Sequence, residues 1–136
     1  LDEIQAAFLS VKLKYIDHEN QKRREIIKYY NENIINPGII LPSIPQYQEE
    51  HVWHLYVIRT KERDKLRSLL EDNGIETLIH YPVPPHKQKA YREYSGISLP
   101  VTEKIHRETL SLPVSPVMSL EDADRIVQVL NKFNSH

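Results

Sequence analysis

Gly74-Ile75-Glu76-Thr77-Leu78-Ile79-His80-Tyr81-Pro82-Val83-Pro84-Pro85-His86-Lys87-Gln88-Lys89-Ala90-Tyr91 runs from a helix stop through a short apolar strand into a stiff loop. Three prolines within Pro82–Pro85 set φ and remove backbone donors, so the loop keeps its shape without a hydrogen-bonded ladder. A mere connection would be shorter and richer in Gly, Asn or Ser. A rigid loop carrying two histidines and two tyrosines is suited to holding something. The plainer reading stays open here: His80 as a strand-end cap and Tyr81 as a core side chain.

Outward from this loop the pattern alternates strands and helices. Upstream, His51-Val52-Trp53-His54-Leu55-Tyr56-Val57-Ile58-Arg59 is rich in β-branched and aromatic residues and reads as the best strand. Arg63 to Asn73 is amphipathic, with Leu66, Leu69 and Leu70 on one face and Gly74 as its stop. Ile39-Ile40-Leu41 is a short strand candidate behind Pro37-Gly38. Downstream, Leu99-Pro100 leads into a short helix and Leu110-Ser111-Leu112-Pro113 is a brief strand. Ser119, with Asp122 three residues on, opens a last helix whose stripe is Ile126, Val129, Leu130 and Phe133.

The chain begins in helical pattern. Ile4, Ala7, Phe8, Val11 and Tyr15 share one face, and the helix continues to Tyr30 with a bend expected near Asp17. Asp2 and Glu3 suit a helix N-terminus. A start without Met, already inside a helix, suggests a piece of a longer protein. The expected architecture is α+β: a small, mostly antiparallel sheet with helices packed on one face, and a long N-terminal helix lying across it.

Composition excludes several functions. A length of 136 residues suits one domain, and the 40% hydrophobic and 27% charged shares are ordinary for a globular chain. Net charge is -1, so no bulk field favours nucleic acid or an acidic membrane. No apolar run approaches the length of about 20 residues that spans a bilayer, and no secretory leader opens the chain. The absence of cysteine removes disulfides and thiolate chemistry, and fits a cytoplasmic location.

Among the histidines, His51 and His54 lie three apart and would point to opposite faces of a strand. His80 and His86 lack an accompanying carboxylate at ligand spacing, so no metal is expected. Trp53 and Tyr56 would also fall on opposite faces, and no nucleic-acid-binding sheet is expected. Lys22-Arg23-Arg24 lies between Glu19 and Glu25 and reads as a solvated helix face. No Gly-x-Ser-x-Gly elbow or Gly-rich phosphate loop is present, so no catalytic residue is assigned. Arg59 is expected to pair with Glu62 or Asp64.

Four segments, in order, carry a family likeness. They are Leu1-Asp2-Glu3-Ile4-Gln5-Ala6-Ala7, His51-x-x-His54-Leu55-Tyr56-x-Ile58-Arg59, Gly74-Ile75-x-Thr77-x-Ile79-His80-Tyr81-Pro82-x-Pro84-x-His86-x-Gln88, and Leu110-Ser111-Leu112-Pro113-x-x-Pro116-x-Met118-Ser119. Together they resemble the C-terminal domain of the DegT/DnrJ/EryC1/StrS sugar aminotransferases. The resemblance implies a fold-type I enzyme using pyridoxal phosphate. Such an enzyme would pass the amino group of L-glutamate to a nucleotide-linked 3-oxo- or 4-oxo-6-deoxyhexose, typically on dTDP, and would work as a homodimer. It places the cofactor's lysine in a larger N-terminal domain, so residues 1–136 would form one small domain with no cofactor and no turnover of its own. The His-Tyr-Pro loop borders the substrate cleft in that family, which makes His80, Tyr81 and His86 the substrate-contact candidates. The competing expectation is a stand-alone α+β module binding a small ligand.

Overall fold

Residues 2–134, which the computed structural model describes, are organised around a short antiparallel pair: β1 (Tyr56–Arg59) and β2 (Thr109–Leu112). Tyr56 lies opposite Leu112 and Ile58 opposite Leu110. The two-residue period of a strand puts these four on one face, and all four are buried. Val57, Arg59, Thr109 and Ser111 fall on the other face. Each outer edge gains one antiparallel bridge. Ile40 exchanges backbone hydrogen bonds of 2.8 and 2.9 Å with Arg59, and Leu78 exchanges bonds of 2.8 and 3.3 Å with Ser111. The segments therefore lie in the order Ile40, β1, β2, Leu78.

The α-helices among the described residues are α1 (Glu3–Leu13), α2 (Ile16–Asn33), α3 (Arg63–Asp72), α4 (Pro100–Glu108) and α5 (Leu120–Lys132), of which α2, α3 and α5 cover the apolar face. The core joins Ile26, Ile27 and Tyr30 of α2, Leu66 and Leu70 of α3, and Ile126 and Leu130 of α5 to the inward strand residues. Each such aliphatic side chain contributes roughly 1.5–3 kcal/mol on full burial. This is the α+β layer that the pattern predicts, with the stripe of α5 in the core.

Local chemistry sets the helix ends. The Ser119 hydroxyl accepts from the Asp122 N–H at 3.1 Å while the Asp122 carboxylate accepts from the Ser119 N–H at 3.1 Å, a reciprocal cap. The Ser119 hydroxyl, which donates to the Asp122 carboxylate at 2.6 Å, and the Ser119 N–H hold that carboxyl below its ordinary range. Gly74, at φ 71°, ends α3. The C-terminal ends of α2 and α5 are tied together by Asn36. Its buried amide donates to the carbonyls of Leu130 at 2.8 Å and Phe133 at 2.6 Å, and the Leu130 carbonyl also accepts from the Phe133 N–H at 3.2 Å.

The structure departs from the sequence pattern at several points. The bend expected near Asp17 is a full break of the N-terminal helix at Lys14–Tyr15. Its apolar face is exposed throughout, and α1 buries none of its residues. The expected strand over 51–59 shortens to β1 because Trp53 takes a left-handed backbone, φ 50°. That turn is capped where the Trp53 N–H donates to His51 Nδ1 at 2.9 Å, and it swings the indole inward, 6.0 Å from the Tyr56 ring. The opposite-face premise therefore fails for both pairs: 51–55 is not strand, and Trp53 and Tyr56 are both buried in the core. Residues 75–79 contribute only the bridge at Leu78. Arg59 pairs with neither Glu62 nor Asp64. Its guanidinium donates to Glu108 at 2.7 and 3.2 Å, because the register of β1 and β2 delivers the end of α4 to its side chain. Among the described residues no helix is long and apolar enough to cross a membrane, and no cluster of three potential ligands could hold a metal ion.

Candidate functional site

A groove of about 570 Å³ lies beside β2, along the edge paired with Leu78. Arg67 and Glu71 of α3, Thr77, His80, Ser111 and Pro113 contribute to its walls. The leucines of Leu110-Ser111-Leu112 point into the core, so alternation sends Ser111 to the opposite face. There its hydroxyl lies 2.9 Å from His80 Nδ1. His80 is half-buried, and its ring meets that of Tyr81 edge to face at 5.6 Å between centroids. The Tyr81 side chain is exposed, with no other partner among the described residues, while its carbonyl accepts from His106 Nδ1–H at 2.6 Å.

The rest of the loop is anchored to α4. Pro84 leads into a tight helical turn, Pro85–Lys87, that turns His86 inward. His86 Nε2 lies 3.1 Å from Glu103 Oε1, and the same oxygen accepts from the Leu99 N–H at 3.1 Å. These bonds, the backbone one foremost, hold the Glu103 carboxyl below its ordinary range. Lys87 Nζ donates to the carbonyls of Ser95 and Ile97 at 2.7 and 3.1 Å, pinning the far side of the loop. The loop is thus clamped by side chains and prolines where no sheet ladder exists.

The three candidate residues separate. His80 lines the groove beside Ser111, and Tyr81 stands exposed next to it. His86 is buried in its pair with Glu103 and does not line the groove. Its place is between the loop and α4, where its bond to Glu103 fastens the loop. The plain reading of Tyr81 as a core residue also fails. Sequence reasoning passed over Ser111, Glu103 and His106, which hold the loop. Ser111 had a signal: a lone hydroxyl between two leucines in a period-two segment. Glu103 and His106 had none beyond their helical spacing.

The groove offers two imidazoles (His54 and His80), two hydroxyls (Thr77 and Ser111), the Arg67 guanidinium and the Glu71 and Glu76 carboxylates. These can hydrogen-bond a polyol and meet a partial negative charge. Pyridoxal phosphate needs an amine at its carbonyl, and no lysine lines this groove. The described residues of the groove therefore do not fit the cofactor's attachment site.

Known proteins share both the sequence and the shape. The model of the DegT/DnrJ/EryC1/StrS aminotransferase family matches residues 1–131. The dTDP-3-amino-3,6-dideoxy-alpha-D-galactopyranose transaminase of Aneurinibacillus thermoaerophilus is 54% identical over 133 residues, covering 98% of this chain and 36% of that protein. The dTDP-3-amino-3,4,6-trideoxy-alpha-D-glucose transaminase of Streptomyces venezuelae is 39% identical, with 98% of this chain and 36% of that protein covered. The crystal structure of S. venezuelae DesV in complex with a ketimine intermediate superposes with a TM-score of 0.89 at 40% identity, over 97% of this chain and 36% of that one. The chain thus spans about a third of the length of these relatives. With the family model matching this chain over residues 1–131, the chain belongs to the DegT/DnrJ/EryC1/StrS aminotransferase family.

Proposed function

We propose that residues 1–136 are the C-terminal small domain of a sugar-nucleotide aminotransferase. The parent enzyme takes an amino group from L-glutamate and delivers it to a dTDP-linked 3-oxo- or 4-oxo-6-deoxyhexose. The supporting observation is the 54% identity to a dTDP-amino-sugar transaminase over 133 residues, 98% of this chain. The amino-group chemistry is that of pyridoxal phosphate acting as an electron sink, held in the remainder of a homodimeric parent. No side chain of this domain is assigned a part in that chemistry, and the domain alone has no turnover.

The domain's contribution is one wall of the substrate cleft. His80 offers a ring nitrogen to the sugar or its diphosphate from a position set by β2. Tyr81 offers an exposed phenol that can both donate and accept. Glu103, His86, His106 and Lys87 keep the loop in one shape, so little ordering entropy is lost when the sugar binds.

The test follows cofactor absorbance in the full-length parent, first on adding L-glutamate and then on adding the keto-sugar nucleotide. Glutamate shifts the cofactor band and the keto-sugar nucleotide returns it. Losing one hydrogen bond to the sugar in His80→Ala slows only the second half-reaction, by about tenfold. A full-length parent with no cofactor band overturns the aminotransferase assignment. Equal slowing of both halves removes His80 from the substrate wall.

A further inference from the structure

The geometry points to Ser111 as the residue that sets the tautomer of His80, presenting Nε2–H to the groove as a hydrogen-bond donor. Its role in substrate binding rests on the reading of His80 above. The tautomer assignment stands on the local geometry alone.

Ser111 is 4% exposed and is paired on both sides within the sheet. Val57 of β1 lies opposite it on one side, and Leu78 pairs with its N–H and C=O on the other. The Ser111 backbone therefore cannot move without breaking both pairings. Its hydroxyl has one partner among the described residues, His80 Nδ1 at 2.9 Å. A buried hydroxyl that accepted from Nδ1–H would keep its own proton without an acceptor, at the cost of an unsatisfied buried donor. Donating to Nδ1 satisfies both groups. Nδ1 is then the acceptor, and the neutral imidazole carries its proton on Nε2. No described residue bonds to Nε2, and the His80 side chain lines the groove.

The consequence is directional. Nε2–H donates to an oxygen: a sugar hydroxyl, a ketone oxygen or a phosphate oxygen. The reversed tautomer would turn an acceptor toward the same atoms, and against a ketone or phosphate oxygen it would repel. Ser111 is thus a positioning residue for the sugar-nucleotide half-reaction, acting through His80.

The experiment uses full-length parent enzyme with 15N-labelled histidine, alongside Ser111→Ala, Ser111→Thr and His80→Ala. In the wild type, the His80 ring shows a protonated Nε2 and an unprotonated Nδ1. Ser111→Ala mixes the two forms and raises the KM for the keto-sugar nucleotide by about three- to tenfold, leaving the glutamate half-reaction unchanged. Ser111→Thr, which keeps the hydroxyl on a strand-compatible side chain, restores both the spectrum and the KM. A wild-type His80 protonated on Nδ1 overturns the assignment. So does a Ser111→Ala enzyme with unchanged KM when His80→Ala slows the keto-sugar step. Equal slowing of both halves by His80→Ala would instead remove the substrate-contact reading, and the nitrogen spectrum still decides the tautomer.

Discussion

The rings of Tyr30 and Tyr56 lie 5.2 Å apart in the core, both fully buried, yet their hydroxyls have opposite fates. Tyr30 donates to the Pro113 carbonyl at 2.9 Å, whereas the Tyr56 hydroxyl has no hydrogen-bond partner among the described residues. Removing the Tyr30 oxygen leaves a carbonyl unpaired, so Tyr30→Phe costs about 1–2 kcal/mol. Removing the Tyr56 oxygen strands nothing and relieves a buried polar atom, so Tyr56→Phe is neutral or stabilising. Urea denaturation of both variants checks the contrast. Equal losses would show that the Tyr56 hydroxyl has a partner.

The same burial has a pH consequence. Desolvation raises both phenols above the ordinary value of 10.0. A group whose folded pKa is raised contributes stability that is complete below its unfolded pKa and is lost as pH rises beyond it. The wild type therefore loses stability above about pH 10, and Tyr56→Phe loses less over that range. Parallel decline of the two proteins in alkaline urea titrations would contradict this.

Glu103 reports on the loop clamp with the opposite sign. Bonds from the Leu99 N–H and His86 lower its carboxyl below the ordinary 4.5. A lowered folded pKa gives stability that is present above the unfolded value and lost as pH falls through the folded one. The deficit of Glu103→Gln relative to wild type is thus full at neutral pH and shrinks below about pH 4.5. Midpoints measured in urea from pH 7 to pH 3 would show the two proteins converging. A constant gap would mean that the carboxylate charge plays no part in the clamp.

What was legible in the chain was local. Ser119 with Asp122, Gly74 behind α3 and the stripe of α5 each depend on residues a turn or less apart, and each stands as the pattern predicts. Contacts between distant segments were not. Arg59 could have met nearby Glu62 or Asp64, and only the register of β1 and β2 shows that it meets Glu108. Trp53 reads as a strand residue by propensity, yet core burial outweighs the strain of its left-handed backbone. In the candidate site the loop itself stood out through its prolines. The inward turn of His86 did not, because its partner Glu103 lies on another element.

Gly74 tests how firmly that local chemistry is set. At φ 71° an added Cβ would meet Arg125 Nη2 at 3.5 Å, an ordinary contact, so the cost of Gly74→Ala is backbone strain of about 1–2 kcal/mol. Asn tolerates this region, and Gly74→Asn recovers much of the loss. If Ala and Asn prove equally destabilising in thermal melts, crowding against Arg125 outweighs the backbone term.

The apolar face of α1 is the place where pattern and packing part company. Periodicity identified Ile4, Phe8, Val11 and Tyr15 as one face, but periodicity says nothing about what covers it. Phe8 is 69% exposed while Ile27, on α2, is 2% exposed. Phe8→Ala in this chain therefore changes stability by no more than about 0.5 kcal/mol, whereas Ile27→Ala costs about 2–5 kcal/mol. Measured again in the full-length parent, the pair becomes a probe of the rest of the enzyme. If other segments of the parent bury α1, Phe8→Ala becomes costly there while Ile27→Ala keeps its value. A Phe8→Ala penalty above about 1 kcal/mol in the isolated chain would show instead that α1 packs against this domain's own core.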